Sequence, residues 1–137
     1  SPALIALKDL DGRHLFVNRR VAEFTSRPAE HWVGRTAHDL APRVVADQMV
    51  SREREVLASL RPLQVELTIP NPQGGITTFL SVFFPLFRPD GEPYATCSVS
   101  TDITDQKRAQ TQRDLLWNLS PDVLLILSTD GVILRAS

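Results

Sequence analysis

Three histidines, a single cysteine and scattered serines and aspartates are the side chains in this sequence that could do chemistry. A metal site needs ligands at short spacings that put them on one face. His14, His31 and His38 fall in three different predicted elements and lack such spacings. They are therefore expected at the surface or in turns, and no metal site is assigned. Serine, histidine and aspartate are all present, but there is no nucleophile-elbow pattern and nothing in their order brings the three together. The pair Gly74-Gly75 is read as a turn, because no Lys-Ser or Lys-Thr follows to hold a phosphate. On these grounds the segment is expected to be non-catalytic. Cys97 excludes an internal disulfide and suits a reducing, cytoplasmic setting. Alternation along its strand assigns it to the inner sheet face, as a small core residue rather than a redox sensor.

Charge narrows the partners. The 137 residues carry 15 basic and 16 acidic side chains, for a net charge of −1. Without a global field to recruit a polyanion or an anionic surface, neither nucleic acid nor membrane is expected as a partner. The longest apolar clusters, such as Val123 to Leu127, fall far short of the roughly 20 residues that span a bilayer. No signal peptide is expected from the chain's opening residues.

The elements that must position these residues begin with a repeat. Ser1-Pro2 and Asp11-Gly12 recur as Ser120-Pro121 and Asp130-Gly131 at one constant offset, and Leu15 recurs as Leu134. Each copy runs from an apolar stretch (Leu4 to Leu7, Val123 to Ile126) through Asp-Gly into a second short run, which is a strand, turn and strand. The reading is a tandem array. Residues 1–104 form one domain, 105–119 a connecting helix, and 120–137 the truncated opening hairpin of a second domain.

Between the first hairpin and the connector the pattern is helical, then extended. Asn18 is placed to cap a helix over 19–25, in which Val21 and Phe24 share a face. Pro28 opens a short helix through Trp32 that Gly34 ends, and a turn of helix over 37–40 stops at Pro42. The longest helical pattern covers 44–60, with Val45, Met49, Val56, Leu57 and Leu60 apolar and Arg52 to Glu55 facing water. Three strands follow. Residues 63–69 alternate apolar and polar; 77–87 are apolar on both faces, with Leu80 and Val82 assigned inward and Phe79 and Phe83 outward; 94–101 close the sheet. Thr104 is placed to cap a helix from Asp105 to Leu119 that starts polar and ends apolar at Leu115, Leu116 and Leu119.

This order resembles the PAS domain, a sensory module of bacterial signalling proteins. The resemblance is carried by Asp11-Gly12 with Phe16-Val17-Asn18, Val33-Gly34-Arg35-Thr36 with Asp39-Leu40-Ala41-Pro42, Glu55-Val56-Leu57, and Phe84-Pro85-Leu86 with Asp90-Gly91. Most specific is Ser100 to Arg108, which contains Asp102-Ile103-Thr104 and is similar to the segment that closes PAS domains and enters a signalling helix. The resemblance implies an α+β fold: a five-stranded antiparallel sheet, order 2-1-5-4-3, with short helices on one face and a projecting C-terminal helix. It also implies PAS domains strung together ahead of an output domain, most often a histidine kinase or a diguanylate cyclase. Haem held by a histidine of the long helix is disfavoured, since 44–60 contain none. A flavin held by a cysteine adduct is disfavoured as well, because Thr36, Ala37 and His38 follow Gly34-Arg35.

No cofactor is therefore expected, and a small apolar ligand is the remaining option. A pocket between sheet and helices would be lined by Phe16, Phe24, Trp32, Leu40, Met49, Val56, Leu67, Leu80, Val82 and Cys97. The same side chains serve equally well as a close-packed core. Phe79 and Phe83 on the outer face, with Leu115, Leu116 and Leu119 of the connector, are the candidates for a homodimer interface. Asp102, Ile103 and Thr104 would relay a change in the core to the connector. The expected function is a sensory and dimerisation module of a multidomain signalling protein, with a sensor histidine kinase as the favoured whole. Its partners would be a second copy and the adjacent PAS and output domains. A ligand-free interaction scaffold within a diguanylate cyclase or other regulator is the alternative.

Overall fold

A computed structural model of the chain describes residues 3–118. Strands β1 (Leu4–Asp9) and β2 (His14–Val17) form the opening hairpin. The Asp9 carboxylate shapes its turn by accepting the backbone N–H groups of Asp11 and Arg13, each at 2.9 Å, and Gly12 sits at φ +81°. That backbone conformation is open to glycine at no steric cost. Helices α1 (Arg19–Thr25), α2 (Ala29–Trp32), α3 (Ala37–Leu40) and α4 (Arg43–Ser59) follow, then β3 (Leu63–Pro70), β4 (Ile76–Phe87), β5 (Pro93–Asp102) and α5 (Thr104–Trp117). All strand pairs are antiparallel, and the sheet order is β2-β1-β5-β4-β3.

Local chemistry holds the helices to the sheet. Asn18 Oδ1 accepts the Val21 N–H at 3.2 Å and caps α1, and it also accepts the Ile5 N–H at 3.1 Å. Its Nδ2 donates to the Ala3 carbonyl at 2.8 Å, so one side chain fixes α1 against β1. Thr36 and Asp39 close a capping box at the start of α3, and the Thr36 N–H donated at 2.9 Å holds the Asp39 carboxyl below its ordinary range. Helix α5 begins at Thr104, one residue before the sequence expectation, with Ile103 at the cap position. Compact packing divides the chain after Asp102, and Ile103 begins the second unit.

The faces of the two central strands are the reverse of the sequence assignment. On β4, Thr77, Phe79, Ser81 and Phe83 are buried toward the helices, while Leu80 and Val82 lie half-buried on the opposite face. Phe79 packs with Val45 and Ile69, and Phe83 with Val56 and Leu67, so both phenylalanines fill the layer beneath α4. They are core residues rather than an outer interface. On β5, Ser98 and Ser100 point into the helix-covered layer, and Cys97 belongs to the other face, paired in register with Leu7 and Phe84. A strand that is apolar on both sides gives alternation no sign. Burying two aromatic rings removes more apolar surface from water than burying Leu80 and Val82 would.

Candidate functional site

The layer between sheet and helices is filled at one end and hollow at the other. Val56, Leu67 and Phe83 close the filled end. The hollow end is a cavity of about 380 Å³, lined by residues of all five strands and of the helices α1 to α4. Its apolar wall is built from Leu4, Val21, Phe24, Leu40, Val45, Met49, Ile69 and Phe79, and Phe24 meets Phe79 edge to face at 5.3 Å. Of the residues expected to line a pocket, Phe24, Trp32, Leu40 and Met49 do so. Val56 and Leu67 are in the filled end. Phe16, half exposed opposite Leu7, and Leu80, Val82 and Cys97 do not line it.

One end of this cavity is polar and closed. Lys8, His14 and Trp32 all line it, and each is no more than 6% exposed. The Lys8 ammonium donates to the Glu53 carboxylate of α4 at 2.5 Å, a buried ion pair that ties β1 to the long helix. Burial pushes the Glu53 carboxyl up, and the attraction of Lys8 opposes that shift. His14 is lowered to about 4, first by burial and then by the charge of Lys8, against the opposing pull of the Arg35 carbonyl. Because a carbonyl oxygen only accepts, the 2.7 Å contact makes His14 Nδ1 the donor to Arg35. The His14 ring meets Trp32 edge-on at 5.0 Å. Trp32 Nε1 is buried and has no hydrogen-bond partner.

Sequence reasoning placed His14 at the surface and turned Glu53 to water; both are buried. A register shift between Leu7 and Lys8 in the β1-β2 ladder puts His14 opposite Lys8, where simple alternation from Val17 would point Leu15 inward. Leu15 is exposed instead. Glu53 carried a usable signal. It stands four residues after Met49 and three before Val56, on the apolar face of the helix, and Lys8 shares strand parity with Leu4 and Ala6.

Among the described residues no group of His, Cys, Asp and Glu could hold a metal ion, and no helix is long and apolar enough to cross a membrane. His38 is exposed and bonded to Asp47 at 2.7 Å. In the relay segment Asp102 is exposed, and Ile103 and Thr104 are half-buried. Leu115 is exposed and Leu116 half-buried on α5. Leu119 and the hairpin 120–137 lie outside the described residues.

The sheet order, the helices on one face and the cavity between them define a PAS-type sensory fold. The model of the PAS-fold family matches residues 1–108, and the chain belongs to that family. A probable histidine kinase 1 from Oryza sativa subsp. indica is 29% identical over 106 residues, which cover 77% of this chain and 11% of that protein. A sensory box sensor histidine kinase from Vibrio cholerae has the same fold, with a TM-score of 0.65 at 17% identity, over 74% of this chain and 82% of that one. The VqmA-ligand-DNA complex of Vibrio cholerae aligns with a TM-score of 0.68 at 18% identity, over 99% of this chain and 55% of VqmA. At these identities the structural likenesses speak for the fold alone.

Proposed function

We propose that this chain is the sensory part of a larger signal-transduction protein, with a sensor histidine kinase as the favoured whole. It binds a small, mainly apolar molecule in the cavity between the sheet and α1 to α4. The carrying observation is the cavity itself: about 380 Å³, apolar over most of its wall and closed at one end by Lys8, His14 and Trp32. That size falls in the range of roughly 300–1,000 Å³ usual for small-molecule sites. Ser98 and Ser100 of β5 line the same cavity. Occupancy would shift β5 and pass through Asp102, Ile103 and Thr104 into α5, and the segment does no chemistry of its own.

A second copy is the nearest partner, followed by adjacent PAS and output domains, in a cytoplasmic setting. With Phe79 and Phe83 in the core, the surface offered to a second copy is the outer sheet face, where Leu80, Val82 and Phe84 are half-buried. The balanced charge of this segment does not decide whether the whole protein meets nucleic acid, since VqmA, with this fold, is found in a complex with DNA. Neither haem nor an adduct-forming flavin belongs to this reading, because α4 carries no histidine and Cys97 is off the cavity wall.

Native mass spectrometry of the chain purified from cells tests the reading, followed by hydrogen exchange before and after ligand removal. A retained small molecule, with exchange changing at the cavity strands and at the start of α5, is the expected result. A clean apo mass, together with no stabilisation by any compound in a small-molecule thermal-shift screen, would favour the ligand-free scaffold instead.

A further inference from the structure

Three basic side chains line the cavity, Lys8, His14 and Arg27, and among the described residues no aspartate or glutamate does. Two of the three bring no free charge. Lys8 is met by Glu53, and His14, lowered to about 4, is neutral at neutral pH. Arg27 differs from both. It is half-buried just after α1, and its guanidinium makes no ion pair or hydrogen bond with any described residue.

The strand register sets Arg27 at the opposite end of the cavity from Lys8. Lys8 stands opposite Thr96, and Phe79 opposite Asp102, six residues farther along β5 and so about 20 Å away at roughly 3.3 Å per residue. Phe24 meets Phe79 edge to face, and Arg27 stands three residues after Phe24. Pro70 and Pro72 come directly after Ile69, which packs with Phe79. Both prolines line the cavity and are exposed, so this end is its mouth.

Resting on the reading of the cavity as a ligand site, we propose that its ligand is an elongated apolar carboxylic acid, with its carboxylate on Arg27 at the mouth and its hydrocarbon body along the cavity toward Lys8. A guanidinium fork takes a carboxylate through two parallel hydrogen bonds, and an unpaired one beside an apolar wall has most to gain from such a partner. The closed end offers a carboxylate less: Lys8 is already paired, and His14, donating through Nδ1 to the Arg35 carbonyl, keeps only an acceptor at Nε2. Since about 150 Å³ of apolar cavity holds the six carbons of benzene, the 380 Å³ here takes a skeleton of about ten. Arg27 is then a specificity-determining residue, selecting acids from neutral molecules of the same shape.

Octanoate and octanamide form a matched pair of probes, alike in chain and differing in the charge of the head. Titrating each into the whole chain at neutral pH, followed by calorimetry or amide NMR, should show octanoate binding about tenfold more tightly. In Arg27→Gln the two affinities should become equal through a loss confined to octanoate, and Arg27→Lys should restore part of the difference. Unchanged octanamide binding by the variants shows that their cavity is intact. Equal affinities in the unaltered chain, or an octanoate preference that survives Arg27→Gln, would overturn the role of Arg27 while leaving the cavity a ligand site. Failure of both probes to bind would overturn this inference and the ligand-site reading together.

Discussion

The two ends of the helix-covered layer share the same sheet and the same long helix, yet one is solid and the other hollow. At the solid end Val56 and Phe83 are completely buried and Leu67 nearly so. At the hollow end the chain buries a lysine, a glutamate, a histidine and an unpartnered indole N–H around about 380 Å³ of space. Close packing is the rule in protein interiors, and departures from it concentrate where a protein binds something. The contrast teaches that stability and function are separated along the sheet. Val56, Leu67 and Phe83 under the second half of α4 carry the packing, and Lys8, His14 and Glu53 toward β1 and β2 carry the polar groups.

The sharpest way to break this comparison is to hollow the solid end. Phe83→Ala should cost about 4 kcal/mol of unfolding free energy, because it removes a fully buried ring and leaves a cavity. Val82→Ala, one residue along and on the other face, should cost about 1 kcal/mol. Urea unfolding of both variants measures the difference. Equal losses would mean that the faces of β4 are not as described.

That pair of neighbours also marks where the sequence was legible. Turn and cap chemistry is local, so Asp11-Gly12, Asn18, Gly34, Pro42 and Asp90-Gly91 located the element ends to within a residue or two, and their order led to the fold. The face of β4 is not local. It depends on what α4 brings over the sheet, and a strand apolar on both sides reads the same either way. The cavity wall was half legible for the same reason: helix residues Phe24, Trp32, Leu40 and Met49 came from the one-sided periodicity of the helices, whereas Leu80, Val82 and Cys97 followed the inverted strand face. His14 was hidden by a bulge that alternation cannot foresee, and Glu53 by its place in a run of charges, Arg52 to Glu55.

The polar end should make stability depend on pH. His14 titrates at about 4 in the folded chain against an ordinary 6.5, so the unfolded chain takes up its proton first as pH falls. Its contribution is complete above pH 6.5 and is lost on acidification toward 4. The loss is on the order of 3 kcal/mol. Glu53 works in the opposite sense, since its raised pKa makes the folded chain the better proton acceptor. The difference between the unaltered chain and His14→Gln isolates the histidine. Unfolding curves from pH 7 downward should converge for the two proteins as pH falls, and parallel curves would place His14 in a solvated site.

The smallest expected effect is the most informative about why the hollow end is polar at all. Glu53→Ala alone should destabilise by about 3 kcal/mol, because it strands the buried Lys8 ammonium without a counter-charge. The double change Lys8→Met with Glu53→Leu should bring the net effect back to within about 1 kcal/mol of zero, since apolar groups of similar size avoid desolvating two ions. If the double variant is as stable as the original, the ion pair is not there to hold the fold. Its effect must then appear in the cavity, where Lys8 contributes a fixed charge beside His14 and Trp32. Ligand selectivity should change in the double variant while the melting temperature does not. A double variant as unstable as Glu53→Ala would instead make the pair a structural tie between β1 and α4, and the division between a packing end and a binding end would move to the far side of Lys8.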